Sequence, residues 1–303
     1  MNLEKLIFSI YFVIASIQLF GADDYSKYLD DILRIDSIYE HENYELLINE
    51  LKNNENPLLA TNIKDELIAL SYFHLKNKSM AYKYIEKSIL HGKRYWHVNT
   101  IYRDTEILEI LKFDTTDLSL NRVKMNSYRF INADKFAFHQ GIMDSLTVLK
   151  QLDQQERGQK STEEDWNQQL ETDVLNANYL EFIIDSLGKW PGFLETGKQG
   201  ESAAFLIAQH SKQVDFQMKS LSLMLNELYF NNINPSHCAF LLDRISLAQN
   251  GYQYFGSQLE HTEKDGVIIY TAKKNNYNKI QMDILRTYFD MPPVDIYISN
   301  MSK

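Results

Sequence analysis

Apolar and polar positions divide the chain into a short leader, a helical array and a longer second helical region. Leu6 to Phe20 is an apolar run of 15 residues, preceded by Lys5 and followed by the small pair Gly21-Ala22 and the polar pair Asp23-Asp24. A positive start, an apolar centre and small residues before a polar chain predict a secretory signal peptide over 1–22. The run is shorter than the roughly 20 residues a spanning helix needs. No cysteine lies near its end, so a lipid anchor at a lipobox is excluded. The expected destination is therefore export, to a periplasmic or extracellular space, with no integral membrane span once the signal is removed.

From 24 to about 115 the apolar spacing is helical and repeats. Ile38, Tyr44, Leu47 and Leu51 are matched 34 residues later by Tyr72, Lys78, Ala81 and Ile85. The second copy, YFHLKNKSMAYKYIEKSILHG over 72–92, places Tyr72, Ala81, Ile85, Ser88 and Ile89 at the aromatic, small and core positions of a helix pair. This stretch resembles a tetratricopeptide repeat, preceded by a degenerate one. Ala81 would let two antiparallel helices approach, with Ile85 and Ile89 filling the seam and a turn at Lys76-Asn77-Lys78. Residues 97–112 are the candidate closing helix. Two roles follow: a platform for a protein partner, or a helical array that packs against the next domain. Tyr28, Tyr39, Tyr44, Tyr72, Tyr82 and Tyr84 read as seam residues rather than a ligand cage.

Residues 116–139 are rich in Asp, Thr, Asn and Ser and read as a connection. Helical patterning resumes over 140–303. Ile142, Leu146, Leu149 and Leu152 recur at helical spacing, with Asp153 and Arg157 four apart as a surface ion pair. A further helix covers 163–187 and ends at Gly188-Lys189-Trp190-Pro191-Gly192. If Glu201 to Phe230 formed one helix, Leu206, Ile207, Val214, Leu221, Met224, Leu225 and Leu228 would fall within about 60° of His210. His210 and Gln217 would then share a buried face, where an unpaired polar group costs about 1–3 kcal/mol.

The next helix runs from Pro235-Ser236 to Asn250-Gly251. Its apolar centre CAFLLDRISLA is interrupted by Asp243 and Arg244, and charges in such a helix need partners. Arg244 is suited to a bidentate carboxylate, from the protein or from a ligand. The aromatics of GYQYFGSQ (251–258) and the apolar run Val267 to Tyr270 flank Asp265-Gly266, which predicts a small β-hairpin. Gly251 and Gly256 would turn the backbone so that Gln253 and Gln258 face the helices.

Six segments together carry a second resemblance: DQQER at 153–157, GKWPG at 188–192, QHSKQVDFQ at 209–217, LLDR at 241–244, GYQYFGSQ at 251–258 and LRTYFDMPPVDIY at 285–297. They resemble an uncharacterised bacterial domain family whose hallmark is a Gln-His pair, a later Gln, Asp-Arg and Gly-x-x-Gln-x-Tyr-Gly-Thr-Gln. Phe255 and Ser257 depart from the last element. The resemblance implies a helical domain and brings no activity.

The fold expected is thus mainly α: tetratricopeptide-like repeats, then a helical domain with a small β-hairpin. Composition agrees, because only 11 glycines and 5 prolines punctuate 303 residues. A single cysteine, Cys238, excludes an internal disulfide framework and reads as an inert core thiol. The 41 acidic against 31 basic side chains, a net charge of −10, argue against nucleic acid as a partner.

Three readings are open for His210, Gln217, Asp243, Arg244, Gln253 and Gln258. They form a satisfied buried network; or they line a pocket for a small polar or anionic ligand; or His210 is the general base of a hydrolase-like enzyme, with Asp243 and Arg244. No serine or cysteine nucleophile motif supports the third. His210, His237 and His261 lack metal-ligand spacing, and phosphate-loop and dinucleotide motifs are missing, so no metal or cofactor is expected.

Overall fold

Helix ends fall where the chain supplies capping groups and left-handed glycines. A computed structural model of the protein describes residues 25–91, 110, 133–135, 137–157, 162–264 and 267–301. The predicted signal peptide, nearly all of the candidate closing helix and most of the 116–139 connection lie outside these residues. Among the described residues there are eleven helices and one antiparallel hairpin, a mainly helical fold as expected. No helix among them is long and apolar enough to cross a membrane.

Four helices come first: α1 (Ser26–Glu40), α2 (Tyr44–Lys52), α3 (Thr61–His74) and α4 (Lys78–Leu90). The last two pack most closely, joined through Lys76 in a left-handed conformation (φ 59°). Ala81 and Ile85 are fully buried in a cluster with Ala69, Leu70 and Ile110, while the Ile89 side chain lies outside the described residues. Small Ala81 lets α4 lie close to α3. Aromatic rings fill the same seams: Tyr44 stacks on His74 at 4.5 Å and lies edge-on to Tyr39 at 5.8 Å, and Tyr72 meets Tyr84 at 5.7 Å.

The second region comprises α5 (Gln140–Glu156), α6 (Glu163–Leu187), α7 (Phe193–His210), α8 (Val214–Tyr229) and α9 (Pro235–Asn250). The hairpin β1 (Leu259–Lys264) and β2 (Val267–Ala272), then α10 (Lys279–Tyr288) and α11 (Val294–Met301), complete it. Thr162 and Asp165 cap α6 reciprocally, and Gly188 ends it at φ 67°. Asn234 caps α9, Pro235 occupies its first turn, and Gly251 closes it at φ 75°.

Helix α7 is the hub, packed against α5, α6, α8 and α9. It is broken at Gly197, whose φ of 66° and ψ of −173° are outside the helical range. A Cβ there would stand 2.7 Å from the Asp134 Cα, so glycine is required for the approach of the 3₁₀ turn Ala133–Lys135. Asp134 uses that approach to cap the resumed helix, accepting the Gln199 N–H at 2.9 Å.

Two sequence expectations are corrected. The chain does not run as one helix from Glu201 to Phe230. It stops at His210, passes through extended Ser211 (φ −55°, ψ 140°) and restarts at Val214. The aromatic segment 251–258 is not a strand either. Positive φ at Gly251 and Gly256 folds it into a loop, and pairing starts at Leu259, opposite Ala272.

A single hydrophobic cluster runs through both regions, from Leu29 and Ile32 on α1 to Leu285 on α10 and the neighbouring Phe289. Polar contacts reinforce it. The Tyr277 hydroxyl donates to Asp30 at 2.7 Å, and the Tyr288 hydroxyl donates to buried Asp36 at 3.1 Å.

Candidate functional site

Three of the six candidate polar residues, Asp243, Gln253 and Gln217, build structure. Asp243 is fully buried, and its carboxylate accepts backbone N–H groups from Tyr254 (2.7 Å), Phe255 (3.0 Å) and Ser257 (2.9 Å). Burial pushes this carboxyl up, and those three amide bonds work against the rise. Gln253 is equally buried: its side chain donates to the Gln258 and Lys273 carbonyls and accepts the Gln258 N–H. Gln217 donates to the carbonyls of Gln209 (3.2 Å) and Ser211 (2.8 Å), which satisfies the broken end of α7. Gln258 accepts from Arg244 and donates to the Ser257 hydroxyl.

Asp243 therefore does not orient His210, and that part of the sequence reading is corrected. Its oxygens are committed to the loop that Gly251 and Gly256 bend over the start of the hairpin. Fully buried Arg286 adds to the same loop, donating to the Phe255 carbonyl at 2.6 Å.

His210 is held instead by Asp153, from the last turn of α5. Its Nδ1 lies 3.0 Å from each Asp153 oxygen. An ionised carboxylate only accepts, so Nδ1 carries the proton and Nε2 is left as the exchangeable site. Among the described residues Nε2 makes no hydrogen bond, and the His210 side chain is 16% exposed. Asp153 itself is 1% exposed. Burial pushes its carboxyl up, but hydrogen bonds from His210 and Arg157 outweigh that and hold it at about 2.

Arg157 joins a second buried carboxylate to the first. It grips Asp153 through Nε and Nη2 (2.9 to 3.2 Å) and reaches Asp173, on α6, at 2.5 Å. Asp173 also accepts from Gln169 at 2.8 Å. The sequence reading took Asp153–Arg157 for a surface pair. It is the junction of α5, α6 and α7, because the broken end of α7 delivers His210 onto it.

Arg244, on α9, completes the group with a different electrostatic position. Burial lowers its guanidinium below the ordinary arginine value, the charge of Arg157 lowers it further, and Asp173 partly opposes this. Its Nη2 donates to the Gln258 amide oxygen at 3.1 Å, and buried Nε has no partner among the described residues. No carboxylate there pairs with it. Of the six sequence candidates, the fold thus brings His210, Arg244 and Gln258 to the site and places Gln217, Asp243 and Gln253 in supporting roles.

Sequence reasoning missed Asp153, Arg157, Gln169 and Asp173 as members. A signal existed on α6: Gln169, Asp173 and Asn176 are buried on the face that also buries Leu180, Ile183 and Ile184. Polar residues at core positions of an amphipathic helix demand partners, and two of these three face Arg157 or each other.

Other ionisable clusters tie elements together. Glu201 accepts from His237 at 2.8 Å, with the His237 ring stacked on Phe205 at 3.9 Å, joining α7 to α9. Asn232 donates to both Glu195 and Glu227 beside Lys189, behind the Trp190-Pro191-Gly192 turn. Cys238 is buried, and burial pushes its thiol well above the ordinary value. No group of three or more His, Cys, Asp or Glu side chains among the described residues is arranged to hold a metal ion.

A model of a family of unknown function (DUF6624) matches residues 142–303, a span that takes in every residue of the site. No curated protein matches the chain, and no solved structure does.

Proposed function

The chain belongs to DUF6624, a family of unknown function, and from the side chains of the matched domain we propose that it binds a small anionic ligand at Arg244, near Arg157. One observation carries this reading: Arg244 is a largely buried guanidinium with no carboxylate partner among the described residues. A buried charge without a partner is costly, and a bound anion supplies the partner. Guanidinium offers a planar fork of donors suited to carboxylate or phosphate oxygens, and the Gln258 amide beside it suits a ligand hydroxyl or amide. A thermal-shift panel of small carboxylates, phosphates and sulfates on the wild type and Arg244→Gln tests it. At least one anion should raise the melting temperature of the wild type and leave the variant unchanged. Equal responses, or none in the wild type, overturn the reading.

A hydrolase-like activity is the second reading, favoured by the Asp153–His210 pair. A buried carboxylate that fixes the imidazole tautomer and leaves Nε2 available is the arrangement a general base needs. In this form of the reading Asp153, not Asp243, orients His210. Turnover of any ester or phosphoester by the wild type, lost in His210→Ala, would support it.

The same proposal extends to the rest of the chain. The protein is exported by removal of residues 1–22, and the tetratricopeptide-like helices of 24–115 present a surface to a protein partner. Sequencing the mature N-terminus from secreted or periplasmic fractions tests the first statement. Copurification with and without 24–115 tests the second.

A further inference from the structure

We propose that two copies of the chain join through the free edge of β2, strand against strand, to make one four-stranded sheet about a two-fold axis. The hairpin is an unfinished sheet. It has two strands, paired from Leu259 opposite Ala272 to Lys264 opposite Val267. Each strand therefore has an outer edge. Among the described residues no backbone hydrogen bond of β1 or β2 reaches another backbone group outside the hairpin. A two-stranded hairpin is marginal by itself, and an unpaired edge is a template for a further strand.

The two edges differ in chemistry. β1 exposes Glu260, His261 and Glu263, and charged side chains of this kind keep further strands away. β2 has no charged residue from Val267 to Ala272. Its Ile268 and Ile269 stay 49% and 41% exposed although α11 packs against the strand. Neighbouring residues of a strand point to opposite faces, so each face of the hairpin carries an exposed isoleucine.

A second copy suits this edge for three reasons. Antiparallel pairing of β2 with itself about a two-fold at Ile269 sets Ile268 of each copy opposite Tyr270 of the other, a favoured β-branched and aromatic pair. The Tyr270 ring already reaches across the hairpin on that face, 6.0 Å from the His261 ring. Lys273 and Lys274, which follow β2, fall at opposite ends of the seam, so the join brings no like charges together in a chain of net charge −10. The completed sheet then ends on β1 at both sides. Its glutamates stop further addition, and the assembly closes as an isologous pair.

Sedimentation of the purified full chain over a wide concentration range tests the proposal. The wild type should pass from monomer to dimer and stop there. Ile269→Lys sets like charges opposite one another at the seam and should weaken dimerisation by about tenfold or more. Thr262→Lys adds the same charge to the same hairpin on its outer strand, at the position paired with Ile269, and should leave the dimer intact. Cysteine variants give a second readout that does not depend on a destabilising charge. Mild oxidation of Ile269→Cys should yield a disulfide-linked dimer and Thr262→Cys should not, because the native Cys238 is buried. A chain that is monomeric at every concentration overturns the proposal. So does a dimer that survives Ile269→Lys, which would use another surface, and so do species that keep growing past the dimer. Equal loss of the dimer in both lysine variants, with no cross-link in Ile269→Cys, overturns it as well.

Discussion

Asp153 and Asp243 are carboxylates of nearly equal burial, at 1% and 0% exposure, set in two different environments. Asp243 is met by three backbone N–H groups of one loop. Asp153 is met by side chains instead: Gln154 and Arg157 at the end of α5, and His210 at the end of α7. Backbone amides cannot change charge, so the first arrangement locks a conformation. Side chains on separate helices can move relative to one another, so the second arrangement ties its charges to how α5 and α7 sit. Burial alone does not separate structure from function; the identity of the partner does.

The sharpest break of this comparison is Asp243→Ala. It would strand three buried donors at once, at about 1–3 kcal/mol each before relaxation. Urea denaturation should show a loss of several kcal/mol or an unfolded chain. A loss under about 1 kcal/mol would mean that the amides find other acceptors and that Asp243 is not the organiser of the loop.

Asp153→Asn should cost less and should act on pH dependence as well. The native carboxyl is held at about 2 against an ordinary 3.8. A depressed carboxyl stabilises the fold above its unfolded value and loses that contribution as pH falls, here between about pH 4 and pH 2. At 1.36 kcal/mol per unit the contribution is roughly 2 kcal/mol. Denaturant midpoints measured across that range should fall more steeply for the wild type than for Asp153→Asn. Parallel curves would remove Asp153 from the acid sensitivity.

Arg244→Met should have the smallest effect on stability. Replacing a largely buried guanidinium that lacks a carboxylate partner by an apolar side chain of similar length is often neutral or stabilising. A midpoint within about 1 kcal/mol of the wild type, combined with loss of the anion-induced thermal shift, would separate binding from folding at this position. A large loss of stability would place Arg244 with Asp243 on the structural side.

Much of the fold was legible because helix periodicity and helix ends are local. Gly188 and Gly251 closed α6 and α9 where the pattern put them, and Ala81 and Ile85 became buried as their spacing required. The break at Ser211 was not legible, since no glycine or proline marks it. Its support comes from six residues further on, where the Gln217 side chain donates to the Ser211 and Gln209 carbonyls that the broken helix end leaves open. The site was half legible for a related reason. His210 and Arg244 announced themselves as polar residues in apolar helices, but their partners come from α5 and α6, and periodicity within one helix does not say which other helix will meet it. Gln253 and Asp243 looked like equal members of a site because a sequence records polarity and not the direction in which a side chain is spent.

The contact between Tyr288 and Asp36 joins residues 252 positions apart in the chain. Closing so long a loop costs conformational entropy before any contact returns it, and folds rich in such contacts form slowly. Helix α1 leaves the ribosome well before α10, and its buried aspartate meets its hydroxyl only after α10 has been made. Until then Leu29 and Ile32 lack neighbours such as Leu285 and Phe289, which complete the cluster they belong to.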